Sequence, residues 1–288
     1  DAVRSRGLGD VYKRQGASQL DAAGIDGARE DAKFLLFEAA GISSSDFIMR
    51  EQDAVDDTLV ALFDRMIARR KNREPVSLII GHVDFMGLSF LTDERALAPR
   101  SDSERLVEAA LSLTEGVEQG SVVDLGTGTG CLLQSFLHYR PLWTGTAVDV
   151  SPDALSLARE NAVRVGVQGR VAFVMGSWEV GREAISQADV VMSNPPYIVS
   201  DVMKTLDPEV LNHDPHLALD GGEDGLDAYL AITSLCDDSL KAGAWLAFEI
   251  GYDQGKAVEK LMGGHGFAEL TILKDFSGHD RVVLGRKQ

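Results

Sequence analysis

The chain has 288 residues, 44% apolar and 25% charged, with two cysteines and a formal net charge of −17. Those proportions are typical of a globular protein of one large or two modest domains, and so acidic a balance makes a poor polyanion binder, because phosphate contacts need lysine and arginine. No apolar run approaches the roughly 18–20 residues of a membrane helix and no basic start followed by an apolar stretch marks a secretory signal, so a cytoplasmic chain is expected, with Cys131 and Cys236 buried, reduced and without metal spacing.

Residues 1–15 hold four arginines or lysines, scattered glycine and no apolar periodicity. They read as a non-native leader or a mis-called start, outside the fold. From Ala17 to about Asn72 the pattern is helical. Ala28, Ala32, Leu35, Leu36 and Ala39 recur at helical spacing, Gly41 reads as a C-cap, and Leu59, Leu62, Phe63, Met66 and Ile67 form a second stripe. These segments predict a small all-α domain over 16–74 with no visible chemistry, a candidate docking element. The basic run Arg65, Arg69, Arg70, Lys71 and Arg73 reads as a solvated helix end, where cations are favoured. Contact with an acidic protein partner is the other reading.

Between Pro75 and Pro99 the period shifts towards two. Residues 76–81 and 84–90 read as short strands with a glycine at each break, forming a β-hairpin linker over 75–98. Ala98-Pro99-Arg100-Ser101-Asp102-Ser103-Glu104 then opens a helix with a Ser/Asp cap and an early Glu. Beyond Ser121, strands are predicted at 121–125, 144–149, 170–175, 188–193 and 244–250, with helices between them. This alternation implies an α/β fold with a parallel sheet covered on both faces. Right-handed crossovers put the loops after the strands on one edge, where ligands bind. Leu270-Thr271-Ile272-Leu273 and Arg281-Val282-Val283-Leu284 read as a final antiparallel pair, with Ser277-Gly278-His279-Asp280 at the turn.

Three motifs fall at carboxyl ends of these strands. Val122-Val123-Asp124-Leu125-Gly126-Thr127-Gly128-Thr129-Gly130 reads as strand, glycine turn and helix start. Its spacing is neither the dinucleotide G-x-G-x-x-G nor a Walker loop with its lysine. Thr146-Ala147-Val148-Asp149 is a second strand ending in a carboxylate, placed to bind ribose hydroxyls. Asn194-Pro195-Pro196-Tyr197 follows the run 188–193. Two prolines fix the backbone and remove two N–H donors, leaving a stiff ledge with an Asn amide at its lip. Such a ledge can hold a planar –NH2 group, with the Asn oxygen accepting one N–H and a backbone carbonyl the other.

Together these motifs resemble class I S-adenosylmethionine-dependent methyltransferases that act on an amino nitrogen. In particular the chain resembles the release-factor glutamine methyltransferases, N5-glutamine methyltransferases that modify the Gly-Gly-Gln loop of class I peptide-chain release factors. The likeness runs from about residue 17 to the end. It rests on Arg73-Glu74-Pro75-Val76, Ile80-Gly81, 85–90, 99–104, 149–155, 214–226, 249–255 and 274–283. It implies a Rossmann-like sheet over 99–288, mostly parallel with an antiparallel C-terminal pair, and a helical substrate-docking domain joined to it by the hairpin. It also implies S-adenosyl-L-methionine as cofactor, S-adenosyl-L-homocysteine as product, and a release factor as substrate, with no nucleic-acid or membrane partner and a monomeric chain. Three positions depart from the pattern: Ser101 replaces the usual second proline, Asp214 stands where Glu is commoner, and Ser177 precedes Trp178 where the family has Asp.

The resemblance assigns catalysis to Asn194, Pro195, Pro196 and Tyr197. Asn194 Oδ1 and the Pro195 carbonyl would accept the two amide hydrogens and aim the nitrogen at the methyl, and Tyr197 would pack on the amide plane. No strong general base is required, since the proton can leave to water. Cofactor binding falls to Asp124, Gly126, Thr127, Gly128, Gly130, Asp149, Trp178 and Asn194. Asp124 either orders the glycine turn or meets the cofactor amino group through water, and Trp178 either walls the adenine or packs in the core. No metal site is expected. His213 and His216 lack a third ligand, and His279 and Asp280 read as turn residues. The alternatives are a ribosomal-protein glutamine methyltransferase, an adenine or guanine amino-methyltransferase acting on nucleic acid, and a catalytically silent cofactor-binding adaptor.

Overall fold

The computed structural model describes residues 11–43, 45–46 and 56–288. The chain forms two compact units divided between Gly81 and His82. In the first, helices α1 (Val11–Ala22), α2 (Ala28–Ala40), α3 (Asp57–Lys71) and α4 (Val76–Ile80) enclose a core that includes Leu20, Leu35, Leu36, Phe63 and Ile67. Asp56 caps α3, its carboxylate accepting from Leu59 N at 2.7 Å. Gly41 ends α2 in the left-handed conformation, as its position predicts.

Three expectations change here. The break expected at residue 15 is not an element boundary, because α1 starts at Val11 and Tyr12 packs on the helical core. Tyr12, Gly16 and Leu20 share one helix face, and Gly16 sits so close that a Cβ there would lie 2.6 Å from the Phe63 ring. A glycine carries no apolar signal, so the stripe is invisible in sequence. Residues 1–10 of the expected leader lie outside the described residues. Second, the predicted strand 76–81 contains a five-residue helix. Pro75 precedes it, Gly81 closes it at φ 79°, and the Arg69 guanidinium donates to the Leu78 and Ile79 carbonyls at 3.2 and 3.1 Å. Third, the basic run is a helix end that is only partly solvated, with Arg65 and Lys71 exposed and three of its arginines tied internally. Arg69 pairs with Glu74, the buried Arg70 with Asp31 at 2.7 Å, and Arg73 reaches the Gly24 carbonyl at 2.8 Å.

The second unit opens with a hairpin, β1 (His82–Phe85) against β2 (Leu88–Leu91), so the segment 84–90 contains the turn rather than one strand. Met86 and Gly87 form that turn, both at positive φ. Glu104 accepts from Met86 N at 2.6 Å and the Tyr139 hydroxyl donates to Met86 O at 2.8 Å, which fixes a turn that Met-Gly does not advertise. Glu104 therefore ties down the hairpin instead of capping its own helix, α5 (Glu104–Leu113).

A seven-stranded sheet follows: β3 (Ser121–Leu125), β4 (Thr144–Asp149), β5 (Val171–Met175), β6 (Val190–Ser193), β7 (Trp245–Glu249), β8 (Phe267–Lys274) and β9 (Asp280–Lys287). Its order is β5-β4-β3-β6-β7-β9-β8, with β5 to β7 parallel and β9 antiparallel to both neighbours. Helices α6 (Cys131–Tyr139), α7 (Pro152–Val165), α8 (Arg182–Gln187), α9 (Pro208–His213), α10 (Asp227–Ser239) and α11 (Gly255–Gly264) complete the unit. Alternate strand residues serve opposite faces. Val122, Ala147, Val190 and Met192 join the layer with α5 and α6, whereas Val123, Val148, Val191 and Phe248 join the layer with α10 and α11. This is the mostly parallel α/β sheet with an antiparallel C-terminal pair that the pattern predicts. The strand order reverses at β3, which has β4 on one side and β6 on the other, and α/β sheets bind ligands beyond the strand ends at such a point. Both cysteines are buried and free, with thiol pKa values pushed up to about 12 by burial. No helix among the described residues is long and apolar enough to cross a membrane.

Candidate active site

Beyond β3 the chain turns through Gly126, Gly128 and Gly130 at φ 79°, 53° and 81°, values that L side chains adopt only with strain. Gly126 N and Thr127 N both donate to Val148 O at 2.9 and 3.0 Å, folding the turn over the end of β4. Gly128 N donates to Asp149 Oδ2 and Ser151 N to Asp149 Oδ1, each at 2.9 Å. The Asp149 carboxylate is thus held by two backbone donors, and each oxygen keeps a lone pair for another. Beneath the turn Asp124 is fully buried, its Oδ2 accepting from Thr127 Oγ1 at 2.7 Å. Its Oδ1 makes no hydrogen bond of normal geometry among the described residues. Burial pushes the Asp124 carboxyl up to about 7, against the Thr127 hydrogen bond that lowers it. Asp124 orders the turn, with the Leu133 amide of α6 also directed at its carboxyl.

A cavity of about 370 Å³ lies over the turn, within the range of small-molecule sites. Gly126, Thr127, Gly128 and Asp149 line it, with Trp178, Asn194 and Pro196. So do the stretch 95–100 and Pro215, Leu217 and Ala218 of the loop after β6. A Cβ on Gly126 would lie 3.4 Å from the Trp178 ring, so the bare α-carbon leaves room for the indole beside the turn. Gly130 and Asp124 stand back from the cavity. Gly130 lies against the Gln134 side chain at the start of α6, where a Cβ would come within 2.1 Å of its amide nitrogen.

The four ledge residues divide. Asn194 and Pro196 line the cavity, Pro195 is buried, and the Tyr197 ring packs into the apolar layer by α10 and α11. Burial pushes the Tyr197 hydroxyl up to about 12. The ledge owes its stiffness to more than proline. Ile198 N donates to Leu219 O at 2.9 Å and Gly221 N to Ile198 O at 2.8 Å, while Gln254 Nε2 reaches Tyr197 O at 3.1 Å. A Cβ on Gly221 would lie 2.6 Å from Tyr197 Cα, and one on Gly225 would lie 2.5 Å from Tyr197 O. Arg100 pairs at 2.7 Å with the buried Asp214 of the same loop, whose carboxyl burial pushes up.

Sequence reasoning passed over two groups at this edge. Arg100 enters the sequence reading through a helix start and a matching stretch, and Glu249 through a strand and a matching stretch, neither as a site residue. Glu249 is 2% exposed at the end of β7, and burial pushes its carboxyl up to about 7, with Ser103 foremost among the contacts that lower it. The available signal is the one Asp149 gives: a lone carboxylate closing an apolar strand. The histidines take structural parts. His216 Nε2 lies 2.9 Å from Leu211 O, and His279 N donates to Asp275 at 3.0 Å. Among the described residues no three His, Cys, Asp or Glu side chains form a metal-binding group.

Two protein-family models match the chain: the PrmC N-terminal domain over residues 13–81, which begins inside the expected leader, and the Methyltransferase small domain over 103–222. The chain is 40% identical over 269 residues to the release factor glutamine methyltransferase of Caulobacter vibrioides, spanning 93% of each protein. It is 40% identical over 274 residues to that of Agrobacterium fabrum, spanning 93% of this chain and 94% of the relative. The hMettl16 catalytic domain, solved in complex with a 3′UTR hairpin, shares the fold with a TM-score of 0.58 at 14% identity, over 77% of this chain and 82% of that one.

Proposed function

The chain belongs to the release factor glutamine methyltransferase family, and we propose that it methylates the side-chain amide nitrogen of the glutamine in the Gly-Gly-Gln loop of class I peptide-chain release factors. The observation that carries this reading is the single cavity that joins the Asp149 turn to the Asn194 ledge. A donor and an acceptor can meet there. The net charge of −17 further favours a protein acceptor over a nucleic acid.

The cofactor is S-adenosylmethionine, which supplies a methyl on a positively charged sulfur and leaves as neutral S-adenosylhomocysteine. The residues fit it. Asp149 has acceptor capacity left for ribose hydroxyls, Trp178 offers an aromatic wall for the adenine, and Asp124 orders the glycine turn beneath them. At the ledge, Asn194 Oδ1 and the Pro195 carbonyl accept the two N–H bonds of the glutamine amide. Those bonds raise electron density on a nitrogen whose lone pair is otherwise delocalised, and they aim it along the line of transfer. Positioning of this kind is worth at most ~7–11 kcal/mol. As the new N–C bond forms, the nitrogen sheds one proton to water. The partly buried Tyr197 ring packs on the apolar layer and so supports the ledge. The helical unit, which carries none of these groups, docks the release factor, and the enzyme acts as a cytoplasmic monomer.

Gly221→Ala puts a Cβ against ledge backbone, so loop or ledge must shift. Denaturant unfolding should show a loss of roughly 1–3 kcal/mol, and methyl transfer should slow about 10-fold or more. Gly169→Ala, where nothing lies within 4 Å, is the neutral control. The test of function is mass spectrometry of a purified class I release factor incubated with the protein and S-adenosylmethionine. One added methyl on the Gly-Gly-Gln glutamine is expected. No added methyl, with cofactor binding demonstrated separately, defeats the reading and moves the search to a ribosomal-protein glutamine and then to nucleic-acid amino groups.

A further inference from the structure

Strand β6 pairs with β7 in parallel, Ser193 opposite Phe248, so the next residues, Asn194 and Glu249, lie side by side at the catalytic edge. Glu249 stands among fully buried apolar neighbours, Leu246, Ala247, Phe248 and Ile250. Its Oε2 makes no hydrogen bond of normal geometry among the described residues. A carboxyl buried merely to fill space is costly, and leucine or methionine would fill it at no such cost. What a carboxylate adds is an acceptor, and the Ser103 hydroxyl and Asn194 amide are the donors that face it.

We propose that Glu249 is the positioning residue for Asn194: its carboxylate accepts from Asn194 Nδ2 and so leaves Asn194 Oδ1 turned to the substrate amide. The inference rests on the assignment of Asn194 as the acceptor's ligand. An asparagine amide is nearly symmetric in shape, and only one of its two orientations accepts an N–H. The reversed orientation sets a donor against a donor. An ionised Glu249 selects the useful orientation; a protonated one can donate to Oδ1 and select the other.

The charged and titratable groups around Glu249 are known. Arg281 of β9, paired with Asp275 at 3.1 Å and Asp102 at 3.2 Å, still lowers the Glu249 pKa, and Asp102 raises it. Tyr197, Tyr229 of α10 and Cys131 of α6 all have pKa values raised by burial and stay neutral near pH 7. Burial dominates and pushes the Glu249 carboxyl up to about 7. Turnover at saturating substrates should therefore rise with pH through that value, as the carboxylate forms.

The experiment is the kcat–pH profile, with cofactor Kd measured alongside. Glu249→Gln should keep cofactor affinity, lose about 10- to 100-fold in kcat and lose the acid limb near pH 7. Ser103→Ala removes a group that holds the Glu249 pKa down, so it should move the acid limb to higher pH with the plateau within about twofold. Wild-type kcat and an unchanged limb in Glu249→Gln would overturn the proposal. If that variant fails to fold, Ser103→Ala decides alone, and a limb left in place rejects it. Asn194→Ala separates the two layers of the argument. Its full activity would remove the premise, whereas an inactive Asn194→Ala beside unaltered profiles in the other two variants would remove only the role of Glu249.

Discussion

Replacing Asn194 with alanine should lower kcat for methyl transfer by roughly 10²–10³-fold, the scale of losing one preorganised polar contact to the reacting group. The Kd for S-adenosylmethionine should stay within about threefold, because the groups assigned to hold the ribose and adenine, Asp149 and Trp178 beside the glycine turn, are left intact. The split between kcat and Kd is the diagnostic. A residue that served only to shape the cavity would weaken cofactor binding at least as much as turnover. One that meets the acceptor lowers turnover alone. Isothermal titration with the cofactor and a methyl-transfer assay on a release factor read the two quantities. Near-normal turnover would sink the assignment.

Charge reversal at Asp149 should do the opposite, weakening cofactor binding by about 100-fold or more. A carboxylate bond to a hydroxyl is worth roughly 1.5–3 kcal/mol, and two ribose hydroxyls are at stake. Asp149→Lys also sets a cation against Gly128 N and Ser151 N, the two donors that now hold the carboxylate at 2.9 Å. The glycine turn loses its anchor along with the ligand. Asp149→Asn, which keeps one good acceptor, should fall between the wild type and the reversal. Calorimetry that found unchanged affinity in Asp149→Lys would remove Asp149 from the cofactor site.

What the sequence disclosed follows from where the determining contacts lie. The five parallel strands were legible because a strand buried on both faces is a short apolar run, and Val122-Val123 or Val190-Val191-Met192 cannot be much else when bounded by turns. The cofactor turn was legible because its glycines meet a local need, positive φ at three alternate positions. The helix at 76–80 was not, since part of its support comes from Arg69, outside the segment. The Met86-Gly87 turn was hidden for the same reason, being fixed by Glu104 and Tyr139. Tyr197 shows the limit at the site itself. A motif places the residue after two prolines, but only the packed layer decides whether its ring meets the substrate or the core. Glu249 closes an apolar strand as Asp149 does, but what lies beside it is set by the neighbouring strand.

The loop after β6 has a further consequence. It contributes Pro215, Leu217 and Ala218 to the cavity and, a few residues on, presses Gly221 and Gly225 against the backbone of Tyr197. One continuous segment thus both lines the cavity and braces the ledge. Where a shared element favours one geometry with both sites filled, thermodynamic linkage makes the effect mutual. Whatever factor the cofactor gains from a bound release factor, the release factor gains from the cofactor.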